Sequence, residues 1–146
     1  MLLFLSDLHL TDTTDRSTVD LTRLSEALDS LLSRAIQKKG VQEVTLVLLG
    51  DVFELLKSRA WRDRQLRPWE AVTAAHTRLV TEILDSIVEA NLTFWEDLRR
   101  LNESYSLKLE FLPGNHDLYL NKAMGEQARR RFQDLLRRRH CPLPWT

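Results

Sequence analysis

Val44-Thr45-Leu46-Val47-Leu48-Leu49 runs directly into Gly50-Asp51-Val52-Phe53-Glu54. An aliphatic run of this length, almost without polar alternation, reads as a strand buried on both faces of a parallel sheet. The glycine behind it reads as a turn. The carboxylate that follows sits where open α/β sheets place their active sites, at the carboxyl end of a strand. The same arrangement occurs twice more. Leu2-Leu3-Phe4-Leu5 leads into Ser6-Asp7-Leu8-His9, and Leu107-Lys108-Leu109-Glu110-Phe111-Leu112 leads into Pro113-Gly114-Asn115-His116-Asp117.

Between these runs the spacing turns helical. Leu21, Leu24, Leu28, Leu31, Leu32 and Ala35 predict a helix within Val19 to Ile36, with Ser17 and Asp20 as a capping box and Gly40 as the stop. A second helical zone is expected from Pro68, a residue suited to a first turn. Its stripe is Val72, His76, Leu79, Ile83, Ile87, Ala90, Phe94, Leu98 and Leu101, with a break near Asn91 or Thr93. His76 reads as a packed or boundary histidine. Asn121 should cap a last helix carrying Met124, Ala128, Phe132 and Leu135 inward, and Pro142 and Pro144 hold the tail extended. The expected order is β-α-β-α-α-β-α. It makes the fold α/β, with a largely parallel sheet and right-handed crossovers. Three strands are a narrow sheet for such a fold, so more chain is expected.

At 146 residues the chain reads as a single domain, 1–146, large enough for a proper core. Lys and Arg balance Asp and Glu at 21 each, so net charge argues for no particular partner. Cys141 is the only cysteine, which excludes an intrachain disulfide and suits a reducing, cytoplasmic compartment. The apolar N-terminus is too short for a signal peptide, and no run approaches transmembrane length.

The three strand-end motifs gain their weight jointly. Two of the four glycines, Gly50 and Gly114, and two of the four histidines, His9 and His116, stand at strand exits beside candidate ligands. In order and in strand context, Asp7-Leu8-His9, Gly50-Asp51 and Gly114-Asn115-His116-Asp117 resemble the calcineurin-like metallophosphoesterases, over residues 1 to about 120.

The resemblance implies the N-terminal portion of that family's sandwich fold and a metal-dependent phosphoester hydrolase. Two divalent ions (manganese, iron, zinc or similar) and metal-activated water are implied as well. Asp7 and His9 would hold the first ion, Asp51 would bridge both, and Asn115 would hold the second. His116 would protonate the leaving oxygen, with Asp117 orienting its ring. The chemistry is consistent with these roles: a pair of cations needs a shared anionic ligand, and an imidazole can serve as general acid.

The family's later ligands, a lone histidine and a Gly-His-x-His segment, do not occur. After His116 only His140 remains. A missing C-terminal segment, a second chain that completes the site, or a degenerate member kept for binding would each account for this. The variant Gly50 to Glu54 also looks like the branch that contains UDP-diacylglucosamine pyrophosphate hydrolases.

Lys57, Arg59, Arg62, Arg64 and Arg67 crowd the stretch after Asp51, with Trp61 and Trp69 among them. Arginine matches phosphate geometry and tryptophan stacks on bases. Arg59, Arg62 and Trp61 are therefore candidate substrate contacts; the plainer reading is a solvated loop with its tryptophans folded inward. Arginine runs at 129–131 and 137–139 read first as a solvated helix face and second as a contact for nucleic acid or an acidic partner. The resemblance implies a phosphoester substrate, nucleotides and nucleic acid included; the alternative functions are a non-catalytic phosphoesterase-like interaction module and a pyrophosphate hydrolase of the UDP-diacylglucosamine type.

Overall fold

Three of the apolar runs form strands: β1 (Leu2–Leu5), β2 (Thr45–Leu49) and β3 (Lys108–Leu112). The computed structural model describes residues 1–14, 19–117, 130 and 134. The strands pair in parallel in the order β1-β2-β3. Leu3, Leu46 and Leu109 are aligned across the sheet, as are Leu5, Leu48 and Phe111. One helix, α1 (Leu21–Lys39), connects β1 to β2, and α2 (Ala60–Asp63), α3 (Ala74–Ala90) and α4 (Leu92–Tyr105) connect β2 to β3. The described residues thus form a mixed α/β fold with a three-stranded parallel sheet and four helices.

Because both crossovers step in the same direction across the sheet, right-handed connections put all the helices on one face. That face carries the core. Leu46, Leu48, Leu109 and Phe111 share one cluster with Leu28 and Leu32 of α1, Ile83 and Ile87 of α3, and Phe94, Trp95 and Leu98 of α4. The opposite face carries Leu2, Phe4, Thr45, Val47, Leu49, Lys108, Glu110 and Leu112. Leu2 and Phe4 are 62% and 58% exposed there, and Lys108 and Glu110 form an ion pair at 2.7 Å.

Local chemistry sets the helix ends. Asp20 caps α1 by accepting from the Arg23 N–H at 3.1 Å, and Gly40 closes it in the left-handed region at φ 63. The cap is thus Asp20 itself, at its own first turn; Ser17 lies outside the described residues. α3 starts at Ala74, not near Pro68. Thr73 caps it, accepting from His76 N–H while the His76 ring reaches back to the Thr73 N–H. Pro68 lies buried in the loop before it, and Val72 stays outside the helix. The break falls at Asn91, whose side-chain amide donates to Ile87 O at 2.7 Å and Thr11 O at 2.9 Å. These two bonds tie the α3–α4 joint to the loop after β1. The one-turn helix α2 falls in the arginine-rich stretch, where no helix was expected. Of the expected last helix, only Arg130 and Asp134 are described, both helical and exposed. The remaining arginines of the two runs, His140, Cys141 and the proline tail lie outside the described residues. Among the described residues, no helix is long and apolar enough to cross a membrane.

Candidate metal centre

Past their last paired residues, the three strands continue as loops that stay bonded to one another. The loop after β1 runs beside the loop after β2: Asp7 N–H donates to Gly50 O at 3.2 Å, His9 N–H to Asp51 O at 2.9 Å, and Leu10 N–H to Val52 O at 2.9 Å. Gly50 N–H donates to Leu112 O at 2.7 Å, which ties in β3. The third loop then presses onto the second. A Cβ on Gly114 would stand 2.5 Å from Asp51 N and 2.8 Å from Gly50 Cα, so only glycine fits at this crossing.

This packing brings the sequence motifs together. Ligand atoms of Asp7, His9 and Asp51 lie within 4.8 Å of one another, and so do those of His9, Glu54 and His116. Asp7, His9 and Asp51 all adopt left-handed backbone, at φ 55, 43 and 51. Such geometry is uncommon outside glycine, is best tolerated by Asp, Asn and His, and concentrates at functional sites. Asp51 Oδ1 accepts the His116 N–H at 2.9 Å, which leaves its other oxygen for a ligand. Asn115 lies exposed on the same loop, between Gly114 and His116.

Glu54 is the residue the motif reading missed. It is 2% exposed, and its two oxygens reach both imidazoles: Oε2 lies 2.9 Å from His9 Nδ1 and Oε1 lies 2.9 Å from His116 Nδ1. Lys57 Nζ stands 3.2 Å from the same Oε2. Burial pushes the Glu54 carboxyl up, but the hydrogen bonds and charges of His116 and Lys57 outweigh it, and the net shift is downward. An ionised carboxylate only accepts, so both rings carry their proton on Nδ1 and turn Nε2 outward. The two rings meet edge to face, with centroids 4.8 Å apart. This carboxylate-to-imidazole bond is the arrangement that orients metal-binding histidines.

Asp117 does not orient His116. Its carboxylate is fully buried and accepts three backbone N–H groups: Phe53 at 2.8 Å, Val52 at 3.2 Å and Gly114 at 3.0 Å. Burial raises its carboxyl above the ordinary value, and the Asp51 charge adds to this, while the three N–H bonds pull the other way. Asp117 therefore fastens the second loop to the third, and the orienting task falls to Glu54.

The expected substrate contacts separate. Trp61 is 3% exposed; its indole N–H donates to Leu55 O at 2.7 Å and its ring lies 6.1 Å from that of His76. It is a core residue and offers no face for stacking, because the one-turn α2 folds it inward. Arg59 and Arg62 are exposed, and the Arg59 guanidinium pairs with Asp63 at 3.5 Å. Of the loop cations, Lys57 is the one bonded into the cluster. His76 is buried in the α3 cap as expected, with Nε2 3.2 Å from Arg67 O.

No protein-family model, curated protein or solved structure matches the chain. The site's own donor set must carry the reading. A carboxylate pair and an imidazole whose second nitrogen is held by a buried carboxylate fit one divalent ion. Asp51 and Asn115, expected to hold a second ion, stand on the two loops that meet at Gly114.

Proposed function

We propose that the chain is the N-terminal portion of a calcineurin-like metallophosphoesterase sandwich and that its site hydrolyses phosphoesters. The observation that carries this reading is the convergence of Asp7, His9 and Asp51 within 4.8 Å, all three on left-handed backbone, at the carboxyl ends of adjacent parallel strands. Asp7, His9 and Asp51 would hold one divalent ion, and Asp51 with Asn115 would begin the site of a second. Such ions, when bound, supply Lewis acidity toward a phosphoryl group.

The chain's own residues supply the rest. Glu54 holds the His9 ring by Nδ1, which leaves Nε2 for an ion. It holds the His116 ring in the same tautomer, and protonation of Nε2 would let His116 deliver a proton to a departing alkoxide. Asp117 keeps the His116 loop against the Asp51 loop. Lys57, at the rim, adds a cation suited to a phosphate oxygen. The uncovered sheet face supports the incomplete-sandwich reading, since a parallel sheet is normally covered on both faces. A cytoplasmic enzyme and a nucleotide or nucleic-acid substrate belong to this proposal as well.

The test is manganese-dependent hydrolysis of a generic phosphodiester by the chain, together with manganese affinity. Asp51→Asn should abolish the turnover and weaken manganese binding. Turnover and affinity both retained in Asp51→Asn would sink the assignment.

A further inference from the structure

His9, Glu54 and His116, which the hydrolase reading uses as ligand, orienter and acid, also bring their own ligand atoms within 4.8 Å of one another. Both Nδ1 atoms point at a single buried carboxylate, at 2.9 Å each. Two ligand atoms bound to one zinc ion at about 2.0–2.2 Å stand roughly 3.0–3.4 Å apart. The hydrogen-bonded arrangement is therefore close to the spacing of a ligand set with a proton in each gap. The edge-to-face rings keep the imidazole planes from blocking each other.

We infer that His9 Nδ1, His116 Nδ1 and the Glu54 carboxylate form a second, zinc-selective site that excludes an ion from Asp7, His9 and Asp51. The inhibitory consequence rests on the hydrolase reading above; the zinc binding does not. Each ring binds the ion through Nδ1 and keeps a proton on Nε2: a ring that starts neutral moves its proton from Nδ1 to Nε2, and one that starts protonated releases its Nδ1 proton to solvent. The flip leaves His9 with an N–H where the Asp7–Asp51 pair needs a lone pair, and the two sites cannot be filled together through His9.

The donor sets also select different ions. Two partly buried imidazoles and one buried carboxylate suit zinc, whereas the oxygen-rich Asp7–Asp51–Asn115 edge suits manganese or magnesium. Glu54 is 2% exposed, and an ion replacing its two N–H donors neutralises a carboxylate that water barely reaches. Lys57, 3.2 Å from Oε2 and half in solvent, can swing away as the ion arrives.

The experiment titrates the metal-free chain with zinc against a chromophoric chelator and records the visible spectrum of the cobalt(II) form. It compares wild type with His116→Ala, Glu54→Gln and Asp7→Asn, each checked for native far-UV circular dichroism. Loss of groups that merely support a ligand costs about 10–100-fold in affinity, so loss of a ligand should cost at least that. His116→Ala and Glu54→Gln should therefore weaken zinc binding by more than about tenfold, and Asp7→Asn by less than about twofold. His116 lies at the surface of the cluster, so its variant keeps the test decisive even if Glu54→Gln does not fold. Zinc lost in Asp7→Asn and kept in His116→Ala would overturn the inference and leave the hydrolase reading standing, as would a wild-type chain that binds no zinc. Manganese affinity measured in the same variants tests the hydrolase reading separately, because that reading requires Asp7→Asn to lose it whatever the zinc result.

Discussion

Replacing Asp117 with alanine should cost the fold about 3 kcal/mol, and the site should loosen with it. The carboxylate accepts from Phe53, Val52 and Gly114 N–H at 2.8, 3.2 and 3.0 Å. Hydrogen bonds to a charged acceptor contribute about 1.5–3 kcal/mol each, so three give at least roughly 4.5 kcal/mol. The carboxyl's upward shift shows that burial outweighs these bonds for the charged form, so the loss on truncation is that of three N–H groups left without an acceptor, about 1–3 kcal/mol each. A net loss of about 3 kcal/mol corresponds to a fall in Tm of roughly 6–12 °C for a chain of this size. Thermal unfolding followed by circular dichroism measures it. Asp117→Asn should fall between wild type and alanine, since its amide keeps one accepting oxygen and turns a donor toward donors. A Tm for Asp117→Ala within 2 °C of wild type, about 0.5–1 kcal/mol, would refute the claim that this carboxylate fastens the loops.

Two further outcomes follow from the same geometry. The folded Asp117 carboxyl binds its proton more tightly than in the unfolded chain, so stability should fall as pH rises from its ordinary value of 3.8 through the raised folded value, and be level beyond it. Urea unfolding of the metal-free chain across that window should show this decline in wild type and lose it in Asp117→Ala; Glu54, shifted downward, contributes the opposite slope below 4.5. Asp7→Gly should raise stability by about 0.5–1 kcal/mol, the left-handed cost removed less the added unfolded-chain entropy, while weakening manganese binding; a Tm below wild type would contradict it.

The strands and the three motif positions were legible because β1 and β2 are nearly continuous apolar runs, β3 alternates apolar Leu109 and Phe111 with Lys108 and Glu110, and each end is marked by a glycine, a proline or a polar residue. What joins the loops was not. Glu54 and His116 are 62 positions apart, and nothing local marks the pair; the available signal was a single acid within the otherwise apolar run Val52 to Leu56. Asp117 was read as the partner of its sequence neighbour, yet its carboxylate points to backbone N–H groups of the previous motif. Gly114 was noted only as a glycine at a strand exit, whereas its lack of a side chain is required by contact with Asp51 and Gly50. The α3 start was misplaced because Thr73 and His76 form a capping box with histidine in the usual place of Glu or Gln. Trp61 looked available because its neighbours are charged, but one short helical turn is enough to bury it.

The cost of this site argues for a use. Left-handed backbone at a non-glycine residue costs on the order of 1–3 kcal/mol. Asp7, His9 and Asp51 together therefore carry about 3 kcal/mol or more, against a net stability of about 5–15 kcal/mol for a typical domain. Of the other left-handed positions, Ser106 closes α4, where such a conformation ends a helix. The three in the cluster end no helix. Glycine would relieve each of them, and one stands beside the cluster at Gly50, also left-handed at φ 72. Burial offsets little of the backbone cost, since Asp7 is exposed and His9 and Asp51 are only partly buried. What the three gain in common is the placement of their ligand atoms within one 4.8 Å group. Asp51 and His9 also bond to His116 N–H and Glu54, but Asp7 shares only this placement, and its left-handed cost is the part that the proposed metal site would explain.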